Sequence, residues 1–400
     1  MAVVTSDRGR TRASATQASF LYRPEVRQAV YQAVLVVLLV ALFYMLVHNT
    51  AANLRKQNIA SGFDFVDRTA GFDVSQALIA FNSSMTYGRA FLVGLLNTLV
   101  VAGLGVVAAT ILGFVIGIAR LSSNWLIARL AAVYVEVIRN IPPLLQLFFW
   151  YFAVLKALPS PRQSLTVPAG GFLNVRGLYL PSPIPEPGFE IVLLAIPIGI
   201  AAAAAVQVWA RRRQRLTGQR FPVFLTSLAL IVGMPLLIHL MLGSPLNFDY
   251  PELKGFNFQG GMVLQPEFLA LLLGLSIYTA SYIAEIVRAG IQGVSKGQKE
   301  AALAIGLTHG QSLRLVVIPQ AMRIIIPPLT SQFLNLTKNS SLAVAIGYPD
   351  LVSVWSGTVL NQTGQAVEVI LVTMCVFLAI SLVTSAFMNW FNRRMALVER

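Results

Sequence analysis

A helix that crosses a bilayer needs about 20 mostly apolar residues. Blocks of that kind lie at Val30–Val47, Arg89–Ala119, Ala128–Leu155, Ile191–Ala210, Pro222–Leu242, Pro266–Ala289, Val316–Ile346 and Ala366–Trp390. Those at Arg89–Ala119, Ala128–Leu155 and Val316–Ile346 run long, so tilted or broken helices are expected there. The pattern predicts an all-α polytopic membrane protein with about eight transmembrane helices. The first block is expected to be a retained membrane helix, because no small-residue cleavage site follows it.

Composition narrows the class. Hydrophobic residues make up 56% of the chain and charged residues only 12%, against about a quarter charged in soluble domains. A net charge of +14 would suit a nucleic-acid binder, but the basic residues sit in short clusters between apolar runs, so no nucleic-acid partner is expected. The lone Cys375 lies in an apolar run, which excludes a disulfide framework and an internal thiolate metal site. His48, His239 and His309 share no ligand spacing, so no metal and no catalytic residue is assigned.

The basic clusters also set the orientation, since short cytoplasmic loops are enriched in Lys and Arg. With the N-terminus inside, nineteen of the 30 basic residues fall on inside segments and eight on outside ones. The inside group includes Arg211–Arg220, Arg288–Arg314 and Arg393–Arg400. Both termini are expected to be cytoplasmic. The stretch Pro159–Gly188, with seven prolines, is then extracytoplasmic. It is long for a connection without a helix, and reads as either an extended spacer or part of a docking surface.

The longest polar stretch between helices is Arg288–Arg314. Ser295 with Gln298, and Thr308 with Gln311, have capping-box spacing. Between them lies a good helix former with Glu300 in its first turn, where the helix dipole favours an anion. Ala301 and Ala302 are small enough for another protein to approach closely, and Gly306 stands where the helix should stop. The chain then returns toward the membrane through Val316-Val317-Ile318-Pro319.

Glu300-Ala301-Ala302, Gly306 three residues later and Val316–Pro319 after nine more resemble the EAA signature of ABC importer permeases. The resemblance implies that Ser295, Gln298, Glu300, Ala301, Ala302, Gly306 and Pro319 belong to a coupling helix docked into a cytoplasmic ATPase. No lysine follows a glycine anywhere, so the phosphate-cradling loop of an ATPase is absent from this chain. Tyr87–Tyr151, Tyr282–Gly290, Lys338–Leu342 and Gly347–Leu351 are similar to the His/Glu/Gln/Arg/opine amino-acid permeases. That family implies a type I ABC importer permease core of five helices, here with three added spans, as in the general L-amino-acid branch.

The implied organisation is a cytoplasmic tail (1–29), an added first transmembrane helix (30–48) and a periplasmic loop (49–88). Two core helices (89–155), an insertion with the proline-rich loop and two added helices (156–265), and three core helices with the coupling helix at 295–308 (266–400) complete it. Implied partners are an ATPase dimer holding ATP and Mg, a second permease subunit, a periplasmic amino-acid-binding protein and the bilayer. The chain itself is expected to bind no cofactor and to be no enzyme.

Charges inside the membrane cost about 2.5–3.5 kcal/mol each at the bilayer centre. Glu136 with Arg139, and Glu285 with Arg288, are spaced to pair on one helical face, either to offset burial or to form a gate. Asn140, a candidate for the translocation path, precedes the Pro142-Pro143 break, which is tolerated in lipid only beside protein or water. Pro327-Pro328 suggests a similar break. Beyond it Ser331, Gln332, Asn335, Lys338 and Asn339 form a hydrophilic stripe, which reads as a translocation path or as a seam with a partner permease. An ion-driven secondary transporter would show inverted repeats, which are not evident. A permease for another small polar solute remains the nearer alternative.

Overall fold

The computed structural model describes residues 24–56 and 61–395. Arg8, Arg10, Arg12 and Arg23 of the N-terminal tail, the Arg400 end and hence the expected placement of both termini lie outside the described residues. Among those described, seven helices are long and apolar enough to cross a membrane, and one sharply bent pair adds an eighth span. They are α1 (Pro24–Lys56), α2 (Tyr87–Ala119), the bent pair α3 (Trp125–Asn140) and α4 (Pro143–Leu155), α5 (Phe189–Thr217) and α6 (Val223–Met241). After these come α7 (Pro266–Gln292), the short α8 (Lys296–Ala304), α9 (His309–Ile346), α10 (Val352–Val359) and α11 (Ala366–Met395).

α7 is the axis of the bundle: 61% of its apolar window is buried, against 0% for α1 and 6% for α11. Its partner along most of its length is α2, and small residues explain why. A Cβ on Gly113 would lie 2.5 Å from Ile283 Cγ2, and one on Gly117 only 2.7 Å from the Ala284 carbonyl oxygen. Lipid offers no hydrophobic drive for helices to associate, so close backbone approach at small residues supplies the attraction. Gly113 and Gly117 form a G-x-x-x-G pair on α2, the sequence signal of this contact. Gly290 repeats the device between α7 and α9, where a Cβ would strike Ile325 at 2.3 Å.

The break in the third span is sharp. α3 and α4 meet at 106°, and proline explains the cost and the remedy together. Pro142 and Pro143 cannot donate backbone hydrogen bonds, so carbonyls at the end of α3 lose their partners. Two side-chain amides replace them: buried Gln146 donates to the Ile138 and Ile141 carbonyls at 2.8 and 2.9 Å, and Asn140 to the Glu136 carbonyl at 2.7 Å. A Gln146→Leu substitution keeps the volume and removes both bonds. The half-buried Ile138 carbonyl then keeps only the long 3.4 Å bond from Ile141 N and the Ile141 carbonyl loses the amide, which should destabilise the fold by about 1–2 kcal/mol, read as a lower thermal midpoint of the detergent-solubilised protein. The expected second break is not there: α9 runs through Pro327 and Pro328 without interruption.

The Gly347–Leu351 turn is a lock between α9 and α2. A Cβ on Gly94 would sit 3.0 Å from Leu351 Cα. Leu351 N donates to Thr98 Oγ1 at 2.9 Å, and Asn97 donates to the Pro349 and Gln76 carbonyls. Asp350 caps α10 by accepting from Ser353 N at 2.8 Å, yet it is fully buried and its Oδ2 has no partner. Burial pushes its carboxyl up to about 7. A raised folded-state value means the fold holds the proton longer than the unfolded chain, so stability falls as pH rises from about 4 to about 7 and is flat above. Asp350→Asn keeps the cap without the charge. Its thermal stability should gain on the wild type across that window, by at most ~1.4 kcal/mol per pH unit, and hold a constant advantage above about pH 7.

The insertion differs from expectation. Pro159–Gly188 is not an extended spacer: it folds into β1 (Leu165–Val167), β2 (Gly171–Asn174), β3 (Gly177–Leu180) and β4 (Ser182–Pro185). The chain after α6 supplies β5 (Leu246–Asp249), β6 (Glu252–Lys254), β7 (Asn257–Gln259) and β8 (Met262–Leu264). β1-β2-β3-β8 form one antiparallel sheet, while β4 pairs with β5 and β6 with β7. Phe172 and Tyr179 stack on Phe258 at 4.7 and 4.9 Å as a small core. The α5–α6 hairpin therefore closes on itself through strands, and the cap sits at the bundle end opposite Arg211–Arg220.

Candidate functional site

Two groups of side chains stand out at the arginine-rich end of the bundle. The first is α8 and its flanks, between the end of α7 and the start of α9. Gly306 has φ +85, the left-handed conformation that ends a helix at low cost only for glycine. Nothing lies within 4 Å of a Cβ there, so it is backbone geometry, not crowding, that requires glycine. Of the two expected capping boxes, Thr308 with Gln311 forms in both directions, while Ser295 makes no side-chain cap bond to α8. Gln298 instead accepts from Gln320 Nε2 at 3.2 Å, tying α8 to α9, and Pro319 lies ten residues past the start of α9.

The two alanines of the segment have different surroundings. Glu300 and Ala301 are exposed, whereas Ala302 is 3% exposed and faces the chain's own interior. Ala302 therefore cannot offer a surface to a partner, contrary to the expectation for it. The apolar side chain that projects is Ile305, 77% exposed at the helix end, with Leu303 half-exposed beside it. Its signal was in the sequence: an isoleucine directly before the terminating glycine of a polar segment.

The second group lies inside the bundle. Glu285 pairs with Arg288 as its spacing predicts, with Arg288 Nε donating at 3.2 Å. Arg120, one residue past α2 and read from sequence only as an orientation marker, pairs with the same carboxylate. One acid thus bridges two guanidinium groups on neighbouring helices, held in register by the Gly113 and Gly117 contacts. Glu136 and Arg139 do not pair. Arg139 lies over the Tyr282 ring at 4.9 Å, and that attraction to the ring face replaces the expected ion pair. Arg120, Glu136, Arg139, Asn140, Tyr282 and Glu285 surround a polar cavity of about 390 Å³.

The stripe on α9 is present as a face. Ser331, Asn335 and Lys338 are exposed on this chain, with Gln332 and Asn339 half-buried at its edge. Pro327 and Pro328 continue the same surface. Cys375, in the apolar run of α11, is exposed on this chain. Among the described residues no group of three or more metal-ligating side chains occurs.

Comparison with known proteins fits this geometry. Residues 195–397 match the family model described as the binding-protein-dependent transport system inner membrane component. The general L-amino acid transport system permease protein AapQ of Rhizobium johnstonii is 56% identical over 382 residues, 96% of this chain and 95% of its own. The putative amino-acid ABC transporter permease protein YhdX of Escherichia coli is 54% identical, covering 94% of this chain and 96% of its own. The glutamate/glutamine/aspartate/asparagine transport system permease protein BztB of Rhodobacter capsulatus is 40% identical over 95% of this chain and 96% of its own. The chain belongs to the family of inner membrane components of binding-protein-dependent transport systems, a multi-span bacterial permease subunit rather than an enzyme.

Proposed function

We propose that this chain forms the membrane path of an ATP-driven importer of L-amino acids, and that α8 carries the motion of a cytoplasmic ATPase into the bundle. The observation that carries the reading is α8 itself. It is a short helix that exposes Glu300, Ala301 and Ile305 while Ala302 and the Gln298–Gln320 bond fix it to α9. A lever must present a contact surface and be joined rigidly to what it moves, and α8 has both properties. The substrate class is supported by relatives that are named as amino-acid permeases across almost their whole length.

On this reading Arg211–Arg220 and α8 face the cytoplasm, as the positive-inside rule requires, and the strand cap faces the periplasm toward a binding protein. The ATPase partner holds ATP and Mg in a dimer. The exposed stripe on α9 meets a second, related permease, because hydroxyls, amides and an ammonium cannot face lipid. Between the two permeases that stripe lines the path, where Lys338 attracts the carboxylate common to all amino acids. The Arg120–Glu285–Arg288 cluster lies on the ATPase side and moves with α7.

Reconstitution tests this. Proteoliposomes holding the chain with its partner permease, the ATPase and the binding protein should take up several labelled amino acids only when ATP is supplied. Uptake driven by an ion gradient in the absence of ATP, or uptake of other polar solutes but no amino acid, would refute it.

A further inference from the structure

Beside α8, the turn joining α5 to α6 comes down against the first residues of α9. Arg220, Thr308, Gly310, Gln311, Arg314 and Leu315 wall a cleft of about 780 Å³ between them. Its two guanidinium groups come from segments far apart in sequence. Neither makes an ion pair or hydrogen bond among the described residues, and no acidic side chain lines the cleft. Thr308 and Gln311 spend their oxygens on each other in the capping box, which leaves the Gln311 amide as a donor. A pocket of unpaired cations and amide donors is suited to a phosphate oxygen.

We propose that this cleft binds the phosphate headgroup of an anionic lipid in the cytoplasmic leaflet. The inference rests on the side assignment made above. The surroundings favour lipid over a soluble anion. Leu315, Phe224 and Leu225 are 61%, 78% and 65% exposed, and the chain on both walls passes from the arginines directly into these apolar side chains. Acyl chains would cover them. Trp209 packs edge-on against Phe221 at 5.2 Å and lies under Arg213, an aromatic anchor of the kind that marks headgroup depth. Because the cleft begins two residues after Gly306, a bound headgroup braces the end of α8.

The test is native mass spectrometry of the assembled complex released from nanodiscs of equimolar phosphatidylglycerol and phosphatidylcholine. Arg220→Gln with Arg314→Gln should reduce retained phosphatidylglycerol about fivefold per arginine removed, with the subunits still assembled. The charge-matched pair Arg211→Gln with Arg212→Gln, outside the cleft, should retain it nearly as the wild type does. Equal losses in both variants would reduce the effect to diffuse surface charge and overturn the site. So would displacement of the lipid by inorganic phosphate alone, which would make it a free-anion site. A cleft variant that keeps its lipid but sheds the ATPase would make it a protein contact instead. Nanodiscs expose both faces, so the lipid result stands apart from orientation. Orientation is read separately, by impermeant labelling of Gly310→Cys in a Cys375→Ser background: labelling from outside intact cells would defeat the side assignment alone.

Discussion

Gly117→Leu should abolish recovery of folded protein, while Gly103→Leu on the same helix should leave it unchanged. At Gly117 an added Cβ meets the Ala284 carbonyl oxygen at 2.7 Å and Val287 Cβ at 2.8 Å. Neither atom belongs to a flexible side-chain end, so α2 and α7 must separate. Overpacking of this kind costs about 3 kcal/mol, and here it also removes the backbone approach that holds the pair together in lipid. Arg120 lies one turn beyond, so its bridge to Glu285 should break at the same time. Gly103 has nothing within 4 Å of a Cβ and lines an open groove. The monodisperse fraction after solubilisation compares the two variants directly. Equal recovery would show that helix contact at Gly117 does not govern the fold.

The second large effect is functional. Ile305→Asp should eliminate ATP-dependent uptake without lowering membrane insertion or thermal stability. The side chain touches little of its own chain, at 77% exposure, so its loss cannot disturb the core. If Ile305 is the apolar anchor that enters the ATPase, a carboxylate there leaves a charge unpaired in the contact, a change that costs 2 kcal/mol or more at interface centres (about thirtyfold in affinity). Ala302→Arg offers the contrast. It places a long cation in a buried position, so it should lower stability as well as transport. Full transport by Ile305→Asp would remove the anchor role.

The spans were legible because a bilayer imposes a length that composition alone can reveal. All eight blocks found their helices, with the third divided at Pro142-Pro143. What hydropathy could not show was how the division is satisfied, since Gln146 reads as an ordinary polar residue until its carbonyl partners are known. Pro327-Pro328 misled for a related reason: two adjacent prolines remove donors, but a helix flanked by α7 and α11 tolerates them without breaking. The strand cap was missed because its strands are only three or four residues long, and two of its pairings, β3 with β8 and β4 with β5, cross the α5–α6 hairpin, as from Leu178 to Leu264. No local alternation marks partners so far apart.

Side-chain pairing was legible only where the helix alone decides it. Glu285 with Arg288 followed from spacing, while Arg139 turned to Tyr282 on α7, a choice made by tertiary contact. Arg120 sits outside any i, i+3 pattern with Glu285 and becomes its partner only through the α2–α7 register. The glycines that set this register carry a G-x-x-x-G signal that was readable from the start.

The claim that α8 joins this subunit to the ATPase is tested most directly by site-specific photo-crosslinking in the assembled, transporting complex. A photoreactive residue at Ala301, exposed and on the helix, should give an adduct with the ATPase subunit, and one at Thr166 in the strand cap should not. An adduct with the ATPase from Thr166 and none from Ala301 would contradict the account.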